Sequence, residues 1–206
     1  MLKRISNLWR RPRVATIDEL RDLLSREALY LSQKATIDYC RARAGLGWHS
    51  LVSEPDFVAA LDACRWQAMA AVLGDAILVT EGFLRVHAAD EAPRLAATLT
   101  AMFSAILDSS PAPDDARARW HTLHDEIAAR LARAQMAPVH NAAEIARTSG
   151  AQVFDLLPIH PSVRIDDREI VVNSIRFGMV AFSETLARAA ADPAELTRRL
   201  TESASP

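Results

Sequence analysis

The chain has 206 residues and a formal net charge of −2, with half of its residues hydrophobic and 24% charged. That length supports one substantial core or at most two small ones, and the near-neutral balance gives no global reason to expect nucleic acid as a partner. Only six glycines stand among abundant alanine and leucine, which favours helix, because glycine loses the most backbone freedom on entering one.

The first fourteen residues are basic and free of acid. Lys3, Arg4, Arg10, Arg11 and Arg13 alternate with Leu2, Ile5, Leu8 and Trp9 at helical spacing. A short segment of this kind is read either as a solvated tail or as an amphipathic arm for an anionic membrane surface or an acidic protein partner. Pro12 ends any helix there. "TIDE" follows, and Thr16 with Glu19 three residues on makes a capping box. The first long helix is expected from Ile17 to Ala44, with Leu20, Leu24, Leu31 and Ala35 facing inward and Gly45 as its stop.

After the connector "GLGWHSLVS", a second helix is expected from Ser53 or Glu54 to His87, with Pro55 in its first turn and a bend at Gly74. A third runs over 91–107. A fourth starts at the acids after "SSPAPDD" and continues unbroken to Gln135. Shorter helices over 142–148 and 151–156 precede the loop "PIHPSVR", and a last long helix spans 167–190. A turn or two after Pro193 leads into a polar tail. No segment alternates at period two. The expected fold is all-α: a single-domain orthogonal or irregular bundle of about six helices over 15–200, with a basic arm over 1–14 and a disordered tail over 201–206.

Several chemistries find no support. Cys40 and Cys64 are too few for a structural zinc site or a disulfide framework and read as small buried hydrophobes, which fits a reducing cytoplasm. No stretch reaches about 18 uninterrupted apolar residues. The nearest, Trp66 to Val86, is broken by Gln67, Asp75, Glu81 and Arg85 and reads as a buried helix of a soluble protein. The N-terminus lacks the apolar region of a signal peptide. No G-x-S-x-G elbow, dinucleotide fingerprint or phosphate loop occurs. His121 and His124 share a helix face but lack a third ligand at a suitable spacing, and His49 beside Ser50 is a weaker candidate still. No cofactor or metal is expected.

Two features remain. Asp75 lies in the most apolar helix, where an unpaired carboxylate is costly; it either faces solvent at a bend near Gly74 or, the favoured reading, pairs with an arginine of another helix, Arg176 being one candidate. "DDREIVVNSIRFGMVAF" (166–182) carries a main apolar stripe through Val171, Ile175, Met179 and Phe182, with a second stripe opposite, through Ile170, Phe177 and Ala181 and flanked by Asn173 and Ser174. The helix is then either central in its own bundle, with a satisfied polar seam, or covered by a partner.

The segments "TIDELRDLLSREALYLSQKATIDYCRARAG" and "DDREIVVNSIRFGMVAF" resemble parts of an uncharacterised family of helical proteins from alphaproteobacteria, some of which carry an esterase label. Without the nucleophile elbow the present chain gives that label no support. The resemblance implies a bacterial, cytoplasmic protein. The function expected from the sequence is a non-enzymatic interaction, assembly or regulatory protein. It docks on a protein partner or on itself through Ile170, Asn173, Ser174, Phe177 and Ala181, with the arm at the inner membrane surface. The alternative is a ligand-binding or enzymatic bundle with Asp75, Asn173 and Arg176 around a polar pocket. A cavity of several hundred Å³ favours the second, and a large exposed apolar patch favours the first.

Overall fold

The computed structural model describes residues 13–203 apart from 121. Among these the regular structure is helical, with no strand and a lone parallel bridge between Val14 and Ala190. Helix α1 (Ile17–Ala44) is followed by the short α2 (Trp48–Leu51) and the longest helix, α3 (Pro55–Arg85). Then come α4 (Ala92–Ser109), α5 (Asp114–Ala118), α6 (Leu123–Gln135), α7 (Ala142–Ile145) and α8 (Arg147–Leu156). The chain closes with α9 (Arg168–Ala189) and α10 (Pro193–Glu202).

The ends of α1 follow from local chemistry. Thr16 Oγ1 accepts from the Glu19 amide at 3.2 Å, while the Glu19 carboxylate accepts from the amides of Thr16 and Ala15. These donors, led by the Ala15 amide, hold the Glu19 pKa below its ordinary value. At the other end Gly45 takes φ 51 and donates its amide to Arg41 O, a left-handed backbone that a side chain would oppose. Asp192 caps α10 in the same manner, its Oδ1 accepting from the Glu195 amide at 3.0 Å.

α3 is the centre of the molecule. It is buried almost without interruption from Ala68 to Gly82, and α1, α4, α6, α8 and α9 all pack against it. A helix apolar around its whole circumference has to be enclosed in this way. One contiguous cluster of buried side chains, including Leu20, Leu73, Ile77, Leu99, Leu131 and Phe182, runs from Val14 to Leu200. By length and composition both α3 and α9 could cross a membrane, but 83% of the apolar window of α3 is buried inside the protein against 33% for α9.

Four expectations need correction. The predicted helix over 114–135 is split. Arg117 donates to the carbonyls of Ser110 and Ala112, tight turns close at Arg119 and Trp120, and the break turns Trp120 inward. This break, with α2 in the connector, gives more helices than the six or so expected. Val14, assigned to the arm, is buried and pairs with the backbone of Ala189 and Ala191. Thr201 and Glu202, assigned to the tail, continue α10. Lastly, α9 is not central: its inner face is buried and its outer face is open. Lys3, Arg4, Leu8, Trp9, Arg10 and Arg11 lie outside the described residues, and Arg13 is exposed.

Thr16→Ala removes one half of the capping box and is expected to cost about 1 kcal/mol, lowering the melting temperature by about 2–4 °C for a chain of this size. A thermal melt with an unchanged midpoint overturns the assignment of the helix start to that box.

Candidate functional site: a buried acid–arginine seam beside a cavity

Three polar side chains, Asp75, Thr80 and Glu81, sit on α3 with no exposed surface. Thr80 is satisfied within its own helix, its hydroxyl donating to Ala76 O at 2.8 Å. The two carboxylates need partners from elsewhere, since a buried and uncompensated charge is strongly destabilising.

Asp75 faces α6 and α8. Arg130 Nη2 donates to Asp75 Oδ1, and the Ser149 amide donates to Oδ2 at 2.9 Å. Gly74 makes the approach possible, because a Cβ there would lie 3.2 Å from Arg130 Nη1. Burial pushes the Asp75 pKa up, against the pull of the Arg130 charge and the hydrogen bonds. The Asp75–Arg176 pair expected from the sequence is therefore not formed. Arg176 donates instead to Asn173 Oδ1 at 2.8 Å and to Ala143 O at 3.1 Å. It is tied to its own helix and to α7, while Asp75 is already taken by α6 and α8.

Six residues further along α3, Glu81 Oε1 lies 3.1 Å from Arg85 Nε and accepts from Gln135 Nε2 at 3.3 Å. Its second oxygen, Oε2, is buried and has no hydrogen-bond partner among the described residues. Burial raises the Glu81 pKa, and the Arg85 charge opposes it. Arg85 also caps the end of α6, donating to Ala134 O at 2.8 Å and Ala137 O at 3.1 Å. Gln135 donates to Ala92 O at 2.6 Å, which holds the start of α4 to the same seam.

Beside this seam lies a cavity of about 250 Å³. Glu81 and Arg85 of α3, Arg130 and Arg133 of α6, and His140 and Thr148 beyond it supply its polar wall. Leu78, Val139 and Ile145 supply apolar surface. Gly82 lets the segment after α6 approach α3, because a Cβ there would lie 2.7 Å from Val139 Cγ1. Arg133 and His140 are exposed, so the mouth is on their side. Arg133 has no ion-pair or hydrogen-bond partner among the described residues. Arg85 and Arg130 are thus taken by the buried carboxylates of Glu81 and Asp75, and Arg133 is the guanidinium of the wall left without such a partner among the described residues.

The sequence reading singled out Asp75 but missed Arg130, Glu81, Arg85 and Arg133. Glu81 and Arg85 registered only as interruptions of an apolar run, although their i, i+4 spacing in such a run is the signal of a pair buried together. Asn173 is half-buried and occupied by Arg176, whereas Ile170, Ser174, Phe177 and Ala181 are exposed on the outer face of α9. Burial raises the pKa of Cys40 to about 11 and that of Cys64 to about 12, which keeps both as protonated, unreactive thiols. His124 Nδ1 lies 2.8 Å from Ser104 Oγ and links α6 to α4. No group of three or more His, Cys, Asp or Glu side chains suited to a metal ion occurs among the described residues. His121 lies outside them. Compared with models of protein families, with curated proteins and with solved structures, the chain matches none.

Arg130→Met leaves Asp75 buried without its counter-charge and is expected to cost about 3–5 kcal/mol, part of which a second change, Asp75→Asn, restores. Denaturant unfolding of both variants measures this, and equal stabilities for the single and double variants would refute the pairing. A pH dependence follows from Glu81. Its folded pKa lies above the ordinary value of 4.5, so the unfolded chain ionises first, and stability is lost as pH rises through the folded pKa. Glutamine does not titrate. The melting temperature of Glu81→Gln relative to the parent is therefore expected to rise as pH goes from 4.5 upward, and a flat difference contradicts this.

Proposed function

We propose that this chain is a single irregular helical domain that binds a small anionic organic molecule in the cavity between α3, α6 and the 136–148 segment. The observation that carries the reading is Arg133: a guanidinium at the mouth of a partly apolar cavity that has no ion-pair partner among the described residues, whereas Arg85 and Arg130 in the same wall lie against Glu81 and Asp75. Guanidinium groups suit carboxylates and phosphates because their N–H groups match two acceptor oxygens at once. Leu78, Val139 and Ile145 then cover an apolar body. A volume of about 250 Å³ falls just below the about 300–1,000 Å³ of drug-sized pockets, so the ligand is small. Of the two readings taken from the sequence, this is the ligand-binding one, with different residues around the pocket.

A ligand that binds only the folded state raises its melting temperature. Small carboxylates and phosphates bearing short aliphatic groups are expected to include binders in a thermal-shift screen confirmed by calorimetry. Arg133→Ser is expected to weaken the best of them at least about tenfold, as the loss of a charged hydrogen bond does. No shift from any member of the panel, or equal affinity in the variant, overturns the proposal.

A second reading rests on α9. Ile170 and Phe177 are 62% and 75% exposed, and Val180 is partly open on the same helix. Surfaces of this kind are covered in assemblies, and the occupant we propose is a second copy of the chain. Sedimentation velocity is expected to show a concentration-dependent dimer that Phe177→Asp disrupts. A parent that stays monomeric at all concentrations removes this reading.

A further inference from the structure

Resting on the ligand-binding reading above, we infer that residues 137–140 are a lid on the cavity, latched to α3 by Val139 in a notch at Gly82, and that the ligand enters when this latch opens. Ala137, Pro138, Val139 and His140 are four consecutive residues of the cavity wall. The ends of this strap are fixed. Ala137 O accepts from Arg85 Nη1 at 3.1 Å, and Asn141 Oδ1 accepts from the Glu144 amide at 2.9 Å to start α7. Between them the main chain of 138–140 makes no hydrogen bond among the described residues. All three residues are exposed, so water satisfies their polar groups whether the strap is down or lifted. Lifting it breaks no main-chain hydrogen bond.

What holds the strap down is side-chain contact. A Cβ on Gly82 would lie 2.7 Å from Val139 Cγ1, so a Val139 methyl group occupies the space that any other residue at 82 would fill. Glycine weakens a helix interior, and this notch is what its missing side chain provides. The seat is shallow. Val139 keeps 51% of its surface exposed, and Met136, where the strap leaves α6, keeps 90%. The remaining tie is His140 Nδ1, 3.6 Å from Glu144 Oε2, an exposed pair of little strength. Fixed ends, a span without main-chain bonds and one shallow contact define a segment that opens locally while the fold around it stays closed. Leu78 lies one turn before Gly82 on the same face of α3 and lines the same cavity, so the apolar part of the cavity is next to the latch.

The test is native-state proteolysis with proteinase K, with the fragments identified by mass spectrometry. In the parent chain the first cut is expected within 136–141. Its rate should hardly change over low urea concentrations that leave the fold intact, because a local opening exposes little new surface. A disulfide supplies the lock. Gly82→Cys with Val139→Cys sets two Cβ atoms 3.9 Å apart, within the about 3.5–4.5 Å of natural bridges. The oxidised variant is expected to be cut in the strap at least about tenfold more slowly than the reduced one, since cleavage follows the population of the open form. Both forms are then titrated with 4-methylpentanoate and isobutyl phosphate, and only the reduced form is expected to bind. A parent chain cut first elsewhere, or cut in the strap only in proportion to global unfolding, overturns the lid. If oxidised and reduced forms bind equally well and equally fast, the ligand enters by another route and the inference is wrong. If the strap opens locally but the whole anion panel is silent, the ligand-binding reading fails and the entry route with it, while the latch remains. The parent measurement needs no variant, so it decides on the lid even where the disulfide does not form.

Discussion

The rest of the structure is arranged around a helix that has no solvent face from Ala68 to Gly82. Over that stretch α3 meets other helices on every side, and its backbone is satisfied internally, so its apolar side chains cost nothing to enclose. Its two buried carboxylates, Asp75 and Glu81, are different. Taking a charge out of water is so unfavourable that each must be met by an opposite charge and by donors placed with good geometry. Asp75 therefore fixes where α6 and α8 lie, through Arg130 and the Ser149 amide. Glu81 fixes where α6 ends and α4 begins, through Arg85 and Gln135. Gly74 leaves room for the Arg130 guanidinium, and Gly82 for Val139 of the segment after α6. The cavity is a consequence of the same arrangement, since the segment leaving α6 has to arch over the seam that its own helix completes.

The remaining helices close the bundle with polar contacts at their ends. Asp167, just before α9, accepts from Tyr39 Oη at 2.7 Å and pairs with Arg43, both on the last turns of α1. The Tyr39 hydrogen bond, with Arg43, holds the Asp167 pKa below its usual value despite burial. At the other end of α9, the backbone of Val14 pairs with that of Ala189 and Ala191. Held at both ends, α9 keeps Val171, Ile175, Met179 and Phe182 in the core and its opposite face outside. The cavity on α3 and α6 and the open face of α9 are built from different side chains, so the proposed ligand binding and the proposed self-association can be altered one at a time.

Legibility in the sequence followed the range of the interaction. The boundaries of α1 could be read because Thr16, Glu19 and Gly45 act within one turn of the helix end. The inner stripe of α9 could be read because its spacing repeats from Val171 to Phe182. The break between α5 and α6 could not, because 114–135 has ordinary helical periodicity and the break comes from Arg117 reaching back to Ser110 and Ala112. Asp75 was recognisable as a residue in need of a partner. Which arginine would serve was not recognisable, since Arg130 and Arg176 are both on amphipathic helices and both far away along the chain.

The sequence by itself determined that the protein is helical, where α1 starts and stops, that α3 must be enclosed, and that Asp75 must be compensated, since each depends on neighbours a few residues apart or on the cost of burying a given chemical group. Only the tertiary structure decided that Arg130 rather than Arg176 meets Asp75, and that, among the described residues, Glu81 Oε2 has no donor and Arg133 at the mouth of a cavity has no ion-pair partner. Those facts depend on which helix faces which, and a pairing between residues more than fifty positions apart leaves no periodic trace in the chain that makes it.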